Sequence, residues 1–175
     1  MSENQGNRLV LVTGGVRGGK SGYALERASS TAKGVLFVAT ALPNDGEMRE
    51  RIRMHRAQRP DGWRTVEATA GELAAHLAGA EEVLVLDCLT LYVGRRLTEG
   101  VAPETIITEV HDAAARMLER FSLSVVVTNE VGWGVIPDNE LARAYSETLG
   151  KVNQVVAARA GEVMLMVTGI PVKVK

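Results

Sequence analysis

The sequence predicts an α/β fold built on a mainly parallel β-sheet, and three observations carry that expectation. Short β-branched runs alternate with longer helical stretches along the chain. The runs are continuously apolar rather than alternating, as expected of strands covered on both faces. A glycine-rich turn joins the first run directly to the first helix. With 175 residues, of which 46% are hydrophobic, the chain is expected to form a single domain, 1–175, preceded by a loose polar tail over residues 1–7.

The elements follow in order. Strands are expected at Leu9–Thr13, Val35–Thr40, Val83–Asp87, Leu123–Asn129 and Glu162–Thr168, with weaker edge candidates at Trp63–Glu67 and Pro171–Val174. Helices are expected at Ser21–Ser30, Asp45–Arg59, Gly71–Leu77 (short), Cys88–Leu97, Pro103–Phe121 and Asn139–Ala160. Ile106, Val110, Ala113, Met117 and Phe121 form one stripe behind Pro103, which suits a first helical turn. In the last helix Leu141, Tyr145, Leu149, Val152 and Val156 form another, with Gly161 expected as its C-cap. Right-handed crossovers then put ligands beyond the carboxyl ends of the strands.

Composition excludes several functions. Twenty basic against 21 acidic side chains leave a net charge of −1, which argues against a nucleic-acid binder. One cysteine, Cys88, supports neither an internal disulfide nor a Cys-based zinc cage, and fits a reducing, cytoplasmic setting. No window has the ~20 apolar residues of a membrane span, and the polar start MSENQGNR does not read as a signal peptide.

The turn after the first strand reads Gly14-Gly15-Val16-Arg17-Gly18-Gly19-Lys20-Ser21, a complete GxxxxGK[ST] phosphate loop. Its glycines let successive N–H groups face phosphate oxygens, and the helix that follows adds the positive end of its dipole. Lys20 is placed to reach the β- and γ-phosphates and Ser21 to hold Mg²⁺. Asp87 closes the run VLVL and is the candidate metal acid at the end of a neighbouring strand; a helix N-cap is its simpler alternative. Glu130 is a second candidate acid. The chain has no NKxD guanine element and no DxxG after Asp87, so a switch GTPase is excluded and a small-molecule kinase fits the size best.

The stretch Asp45–Arg59 carries five arginines (Arg49, Arg51, Arg53, Arg56 and Arg59) around His55, and Glu47 and Glu50 offer two partners within the helix. The surplus positive charge points to a phosphate-rich ligand. Met48, Ile52 and His55 share a helix face, so on the residue pattern alone His55 reads as a core histidine ahead of a nucleophile. His76 and His111 lack such surroundings.

Taken together, LVTGGVRGGKS at Leu11–Ser21, VAT at Val38–Thr40, the stretch His55–Glu67, LVLDCLT at Leu84–Thr90, TNEVGWGVIP at Thr128–Pro137, LAR at Leu141–Arg143, GKVNQ at Gly150–Gln154 and the terminal TGIPVKVK resemble the bifunctional adenosylcobinamide kinase/adenosylcobinamide-phosphate guanylyltransferases of cobalamin biosynthesis. The resemblance implies a P-loop NTPase fold of RecA-like, three-layer type and a homotrimer. It implies ATP, GTP and adenosylcobinamide as substrates, with Mg²⁺ as cofactor. It places the covalent GMP-histidine at His55. It assigns nucleotide binding to Thr13, Gly14, Gly15, Val16, Arg17, Gly18, Gly19 and Lys20, to Ala39, Thr40 and Ala41, to Arg56, Ala57, Gln58 and Arg59, and to Glu67 and Asp87, with Ser21 and Asp87 at the metal. The sequence departs from the family pattern at Met54, where a second histidine often stands, and at Asp87, where the acid is often Glu. A P-loop kinase without guanylyl transfer and a non-catalytic nucleotide-binding module are the alternatives.

Overall fold

The structure is a computed structural model and describes residues 8–43 and 45–175; the tail expected over residues 1–7 lies outside them. Seven strands form one sheet: β1 (Arg8–Gly14), β2 (Val35–Ala39), β3 (Arg64–Glu67), β4 (Val83–Asp87), β5 (Leu123–Val127), β6 (Glu162–Val167) and β7 (Ile170–Lys173). Their order is β3-β2-β4-β5-β1-β6-β7, parallel throughout except for β7, which pairs antiparallel with β6. The two strands that read weakest in the sequence, β3 and β7, are the two edges.

The continuous apolar runs are explained by burial on both faces. Leu9, Leu11, Leu36, Val38, Leu84, Leu86 and Val126 face one core together with α3 (Leu89–Thr98), α4 (Pro103–Arg120) and α5 (Glu140–Arg159). Their alternates Val10, Val12, Val35, Phe37, Val83, Val85, Val125 and Val127 face the other, covered by Ala24 and Ala28 of α1 (Lys20–Ser29). The result is a helix–sheet–helix sandwich with side chains alternating between two cores.

A buried polar knot joins the helices of the first core. Tyr92 of α3 donates to Glu109 of α4 at 2.5 Å and accepts from the backbone N–H of Leu73 at 3.3 Å. Arg96 pairs with the same carboxylate. Burial works against the Glu109 charge, but the hydrogen bonds from Arg96 and Tyr92 hold its pKa below the usual carboxylate value.

Several boundaries differ from the sequence reading. The segment expected as a short helix at Gly71–Leu77 is one 3₁₀ turn, Leu73–His76. Gly161 is not a left-handed cap: α5 ends in the extended Ala160, and the Gly161 N–H instead joins Leu9 O at 2.9 Å. Leu141 is exposed, so the buried stripe of α5 starts further along the helix. The stripe of α4 is as expected, with Ile106, Val110, Ala113 and Met117 buried and Phe121 sealing its end.

The register levels the strand ends. Glu67 of β3 sits opposite Ala39 of β2, Ala39 opposite Asp87 of β4, and Asp87 opposite Val127 of β5. One correction concerns Asp87: β4 is not the neighbour of the P-loop strand, because β5 lies between them. Beyond β6, Thr168 and Gly169 (φ 51° and 86°) make a two-residue hairpin turn that brings β7 back along the sheet.

The loop after β1 is pressed against β6. A Cβ on Gly14, whose φ is 141°, would stand 2.6 Å from the Met166 carbonyl oxygen. Gly14→Ala is therefore expected to destabilise the fold by about 2–4 kcal/mol through combined strain and overlap. Gly150 inside α5 has open space around its Cα, so Gly150→Ala should stabilise by up to about 1 kcal/mol. Urea unfolding of both variants checks the pair; equal effects would mean that the loop is free to move away from β6.

Candidate functional site

A cleft of about 640 Å³ opens along the carboxyl edge of the sheet. Its floor is the P-loop, where Gly19 adopts the left-handed conformation (φ 89°) as N-cap of α1. Arg17, also left-handed at φ 57°, turns the loop at its crest. The β6–β7 turn braces this loop, with the Gly169 N–H bonded to Gly18 O at 3.2 Å. Lys20 is buried, and its ammonium donates to Gly15 O at 2.6 Å. Burial lowers its pKa below the ordinary lysine value, against the attraction of Asp87.

One wall is the levelled row of strand ends. Ala39, Glu67, Asp87 and Val127 all face the cleft, joined by Ala41 beyond β2 and Cys88 beyond β4. Thr40 clasps that wall from behind: its hydroxyl accepts from Cys88 N–H at 2.8 Å and donates to Cys88 O at 2.7 Å. Burial, helped by Asp87, pushes the Cys88 thiol up to about 12, so it is no nucleophile at neutral pH.

The facing wall is α2 (Gly46–Ala57), capped by the Asp45 carboxylate on Met48 N–H at 2.7 Å. This helix contains no buried residue. Its half-buried side chains, Met48, Ile52 and His55, turn towards the cleft rather than into a core, which sets aside the core reading of His55. Arg49, Arg51 and Arg56 also line the cleft, whereas Arg53 is held outside by Glu50 at 2.6 Å. Just past the helix, Gln58 and Arg59 complete the wall. Arg59 stacks 3.8 Å over the Phe37 ring and donates to Thr65 Oγ1 at 3.2 Å. Burial works against its charge and lowers its pKa, opposed by the attraction of Asp87 and Glu67.

Of the residues expected to bind nucleotide, Val16, Arg17, Gly18, Gly19, Lys20, Ser21, Ala39, Ala41, Arg56, Gln58, Arg59, Glu67 and Asp87 stand together on the cleft with His55. Thr13, Gly14, Gly15, Thr40 and Ala57 do not line it. Thr13 is buried and donates to Glu130 at 2.9 Å, which gives that second acid a place beside the P-loop strand. Sequence reasoning missed Thr90, Leu91 and Asn129. Thr90 and Asn129 lie within the LVLDCLT and TNEVG stretches and are tied together, Asn129 N–H donating to Thr90 Oγ1 at 2.9 Å.

The family model of cobinamide kinase / cobinamide phosphate guanyltransferase matches residues 10–174. The chain belongs to this family. Among its family relatives, the bifunctional adenosylcobalamin biosynthesis protein CobU of Escherichia coli is 38% identical over 95% of this chain and 99% of its own. CobU of Salmonella typhimurium gives the same figures, and CobP of Pseudomonas aeruginosa is 38% identical over 94% of this chain and 96% of its own. Among solved structures, a KaiC-like protein from Pyrococcus horikoshii aligns at a TM-score of 0.52 and 16% identity, covering 90% of this chain and 70% of that one. That likeness concerns the fold, a RecA-like sheet flanked by helices.

Ser21 and Asp87 offer hard oxygen donors, a hydroxyl and a carboxylate, and both face the cleft. This donor set fits Mg²⁺ shared with phosphate oxygens. Among the described residues no group of three or more His, Cys, Asp or Glu could hold an ion unaided. Among the described residues no helix is long and apolar enough to cross a membrane.

Only one phosphate loop is present in the sequence. Lys20→Ala should therefore weaken triphosphate binding and cost at least about 10²-fold in any transfer that uses the cleft. Equilibrium dialysis with GTP and ATP, paired with turnover, checks this; unchanged nucleotide affinity would place the triphosphate elsewhere.

Proposed function

We propose that the chain phosphorylates adenosylcobinamide with ATP or GTP and then transfers GMP from GTP to the phosphorylated product, giving adenosylcobinamide-GDP. Family membership supports both activities. The observation that carries the division of labour is that His55, on the α2 wall, and Lys20, on the P-loop floor, line the same cleft.

In the first reaction the hydroxyl of the aminopropanol arm attacks the γ-phosphorus, and the bond to the β,γ-bridging oxygen breaks. The loop N–H groups and Lys20 stabilise the charge gathering on the β-phosphate oxygens. In the second, an imidazole nitrogen of His55 attacks the α-phosphorus of GTP, forming a P–N bond while pyrophosphate leaves. The phosphate of the acceptor then attacks the same phosphorus and releases the imidazole. The covalent intermediate replaces one difficult encounter by two easier ones. Arg49, Arg51, Arg56 and Arg59 offset the negative charge of the α-phosphorus transition state and of the departing pyrophosphate. Mg²⁺, held by Ser21, Asp87 and the phosphates, supplies further charge neutralisation when bound.

A homotrimer is part of the same proposal. Trp133, Val135 and Ile136 after β5 are 79%, 96% and 80% exposed, and β7 exposes Ile170 and Val172, with Val174 exposed just beyond it. Apolar surface of this kind favours burial against a further copy. Light scattering should give three times the 18.8 kDa chain mass; a stable monomer overturns it.

His55→Ala should abolish protein-bound label from GTP labelled at the α-phosphorus while phosphorylation of adenosylcobinamide continues. Label retained by the variant would move the nucleophile elsewhere. Loss of both activities would make His55 part of the shared nucleotide pocket.

A further inference from the structure

The nucleotide cleft continues into a second cavity of about 440 Å³ between α3, α5 and the segment after β2. Met48, Thr90 and Leu91 line both spaces, so a molecule in one touches the same walls as a molecule in the other. We propose that this second cavity is the acceptor pocket, receiving the aminopropanol arm and the carboxamide-bearing edge of the corrinoid. The assignment rests on the bifunctional reading given above.

The chemistry of the walls selects the ligand class. Arg95 of α3 lines the cavity with its side chain 4% exposed. Its two terminal nitrogens are used, on Glu99 at 2.6 Å and on Gly71 O at 2.8 Å, but its buried Nε has no hydrogen-bond partner. Glu99 cancels the charge of Arg95, so the cavity has no surplus cation to attract a second phosphate chain. It offers instead both donors and acceptors, with the Thr98 and Tyr145 hydroxyls beside them. That mixture suits neutral carboxamides, which need one partner of each kind. Leu42 and Leu91 supply apolar wall for the ring edge between those amides.

Reaction geometry requires a pocket in this position. Both transfers deliver phosphorus to oxygens on the same arm of the same acceptor. The nucleotide occupies the P-loop, and α2 closes the opposite wall. A space that shares Met48, Thr90 and Leu91 with the nucleotide cleft lets the arm reach the phosphates while the ring stays outside. The cavity is smaller than a whole corrin macrocycle, so only its periphery enters.

Two substitutions outside the nucleotide machinery test this. Gly94→Leu projects a side chain from α3 into the cavity, where a Cβ makes ordinary contact with Tyr145 at 3.5 Å. Thr98→Trp obstructs the rim from an exposed position and preserves the test where Gly94→Leu folds poorly. Cobinamide binding is measured by equilibrium dialysis using its visible absorption, and nucleotide use by the GMP adduct formed from GTP without acceptor. Both variants should bind cobinamide at least about tenfold more weakly, with a matching rise in its KM, and form the adduct at the wild-type rate. Unchanged cobinamide affinity in a folded variant overturns the pocket while leaving the bifunctional reading intact. Loss of adduct formation in parallel with cobinamide binding also overturns it, by making the cavity part of the nucleotide site. Wild-type protein that neither binds cobinamide nor forms the adduct would fail the bifunctional reading itself.

Discussion

Everything in this molecule depends on a parallel sheet buried on both faces. Once Leu9, Leu11, Leu84 and Leu86 are committed to one core and Val10, Val12, Val83 and Val85 to the other, none of the central strands β1, β2, β4 and β5 has a free face on which to carry chemistry. Polar groups are expelled to the strand ends, and parallel pairing puts equivalent ends on the same edge. The register then levels Glu67, Ala39, Asp87 and Val127 into one wall. A nucleotide site at that edge is a consequence of how the core is filled.

The same edge explains why the two halves of the site are built so differently. The P-loop is held by backbone: Gly14 against β6, Gly18 by the hairpin turn, and Lys20 folded onto Gly15. Such a loop is pre-organised for phosphate and tolerates little change. The histidine helix α2 is the opposite, with a good N-cap, arginines along the cleft and no buried side chain. Few apolar contacts hold it, which places it at the low-stability end of the structure. A histidine on so lightly packed a helix can adjust to a bound triphosphate, while the rigid floor keeps the phosphate chain in place.

Positive charge on α2 acts where it faces the cleft and less where it faces water. Glu50 neutralises Arg53 at the exposed surface, where a salt bridge contributes little to stability. Arg59, packed on Phe37 with its charge partly desolvated, is the arginine whose position is best defined by its surroundings. The surplus of arginine that was visible as a simple count thus divides into cleft-lining and solvated groups.

Much of this was legible in the chain itself, because local spacing has local consequences. Apolar runs without alternation implied a buried parallel sheet. The glycines and Lys20-Ser21 after a strand implied a phosphate loop, and the stripe from Ile106 to Met117 implied a buried helix face. Three features were not legible, each for the same reason: they depend on which distant segments meet. The strand order, with β5 between Asp87 and the P-loop strand, follows from packing rather than from periodicity. The bracing of the P-loop by Gly169 joins residues far apart in sequence, so nothing near Gly18 announces it. The face shared by Met48, Ile52 and His55 was evident as spacing, but an amphipathic pattern reads the same over a core as over a cleft. Only the tertiary structure, by leaving α2 without a core beneath it, decided that His55 looks onto the nucleotide site.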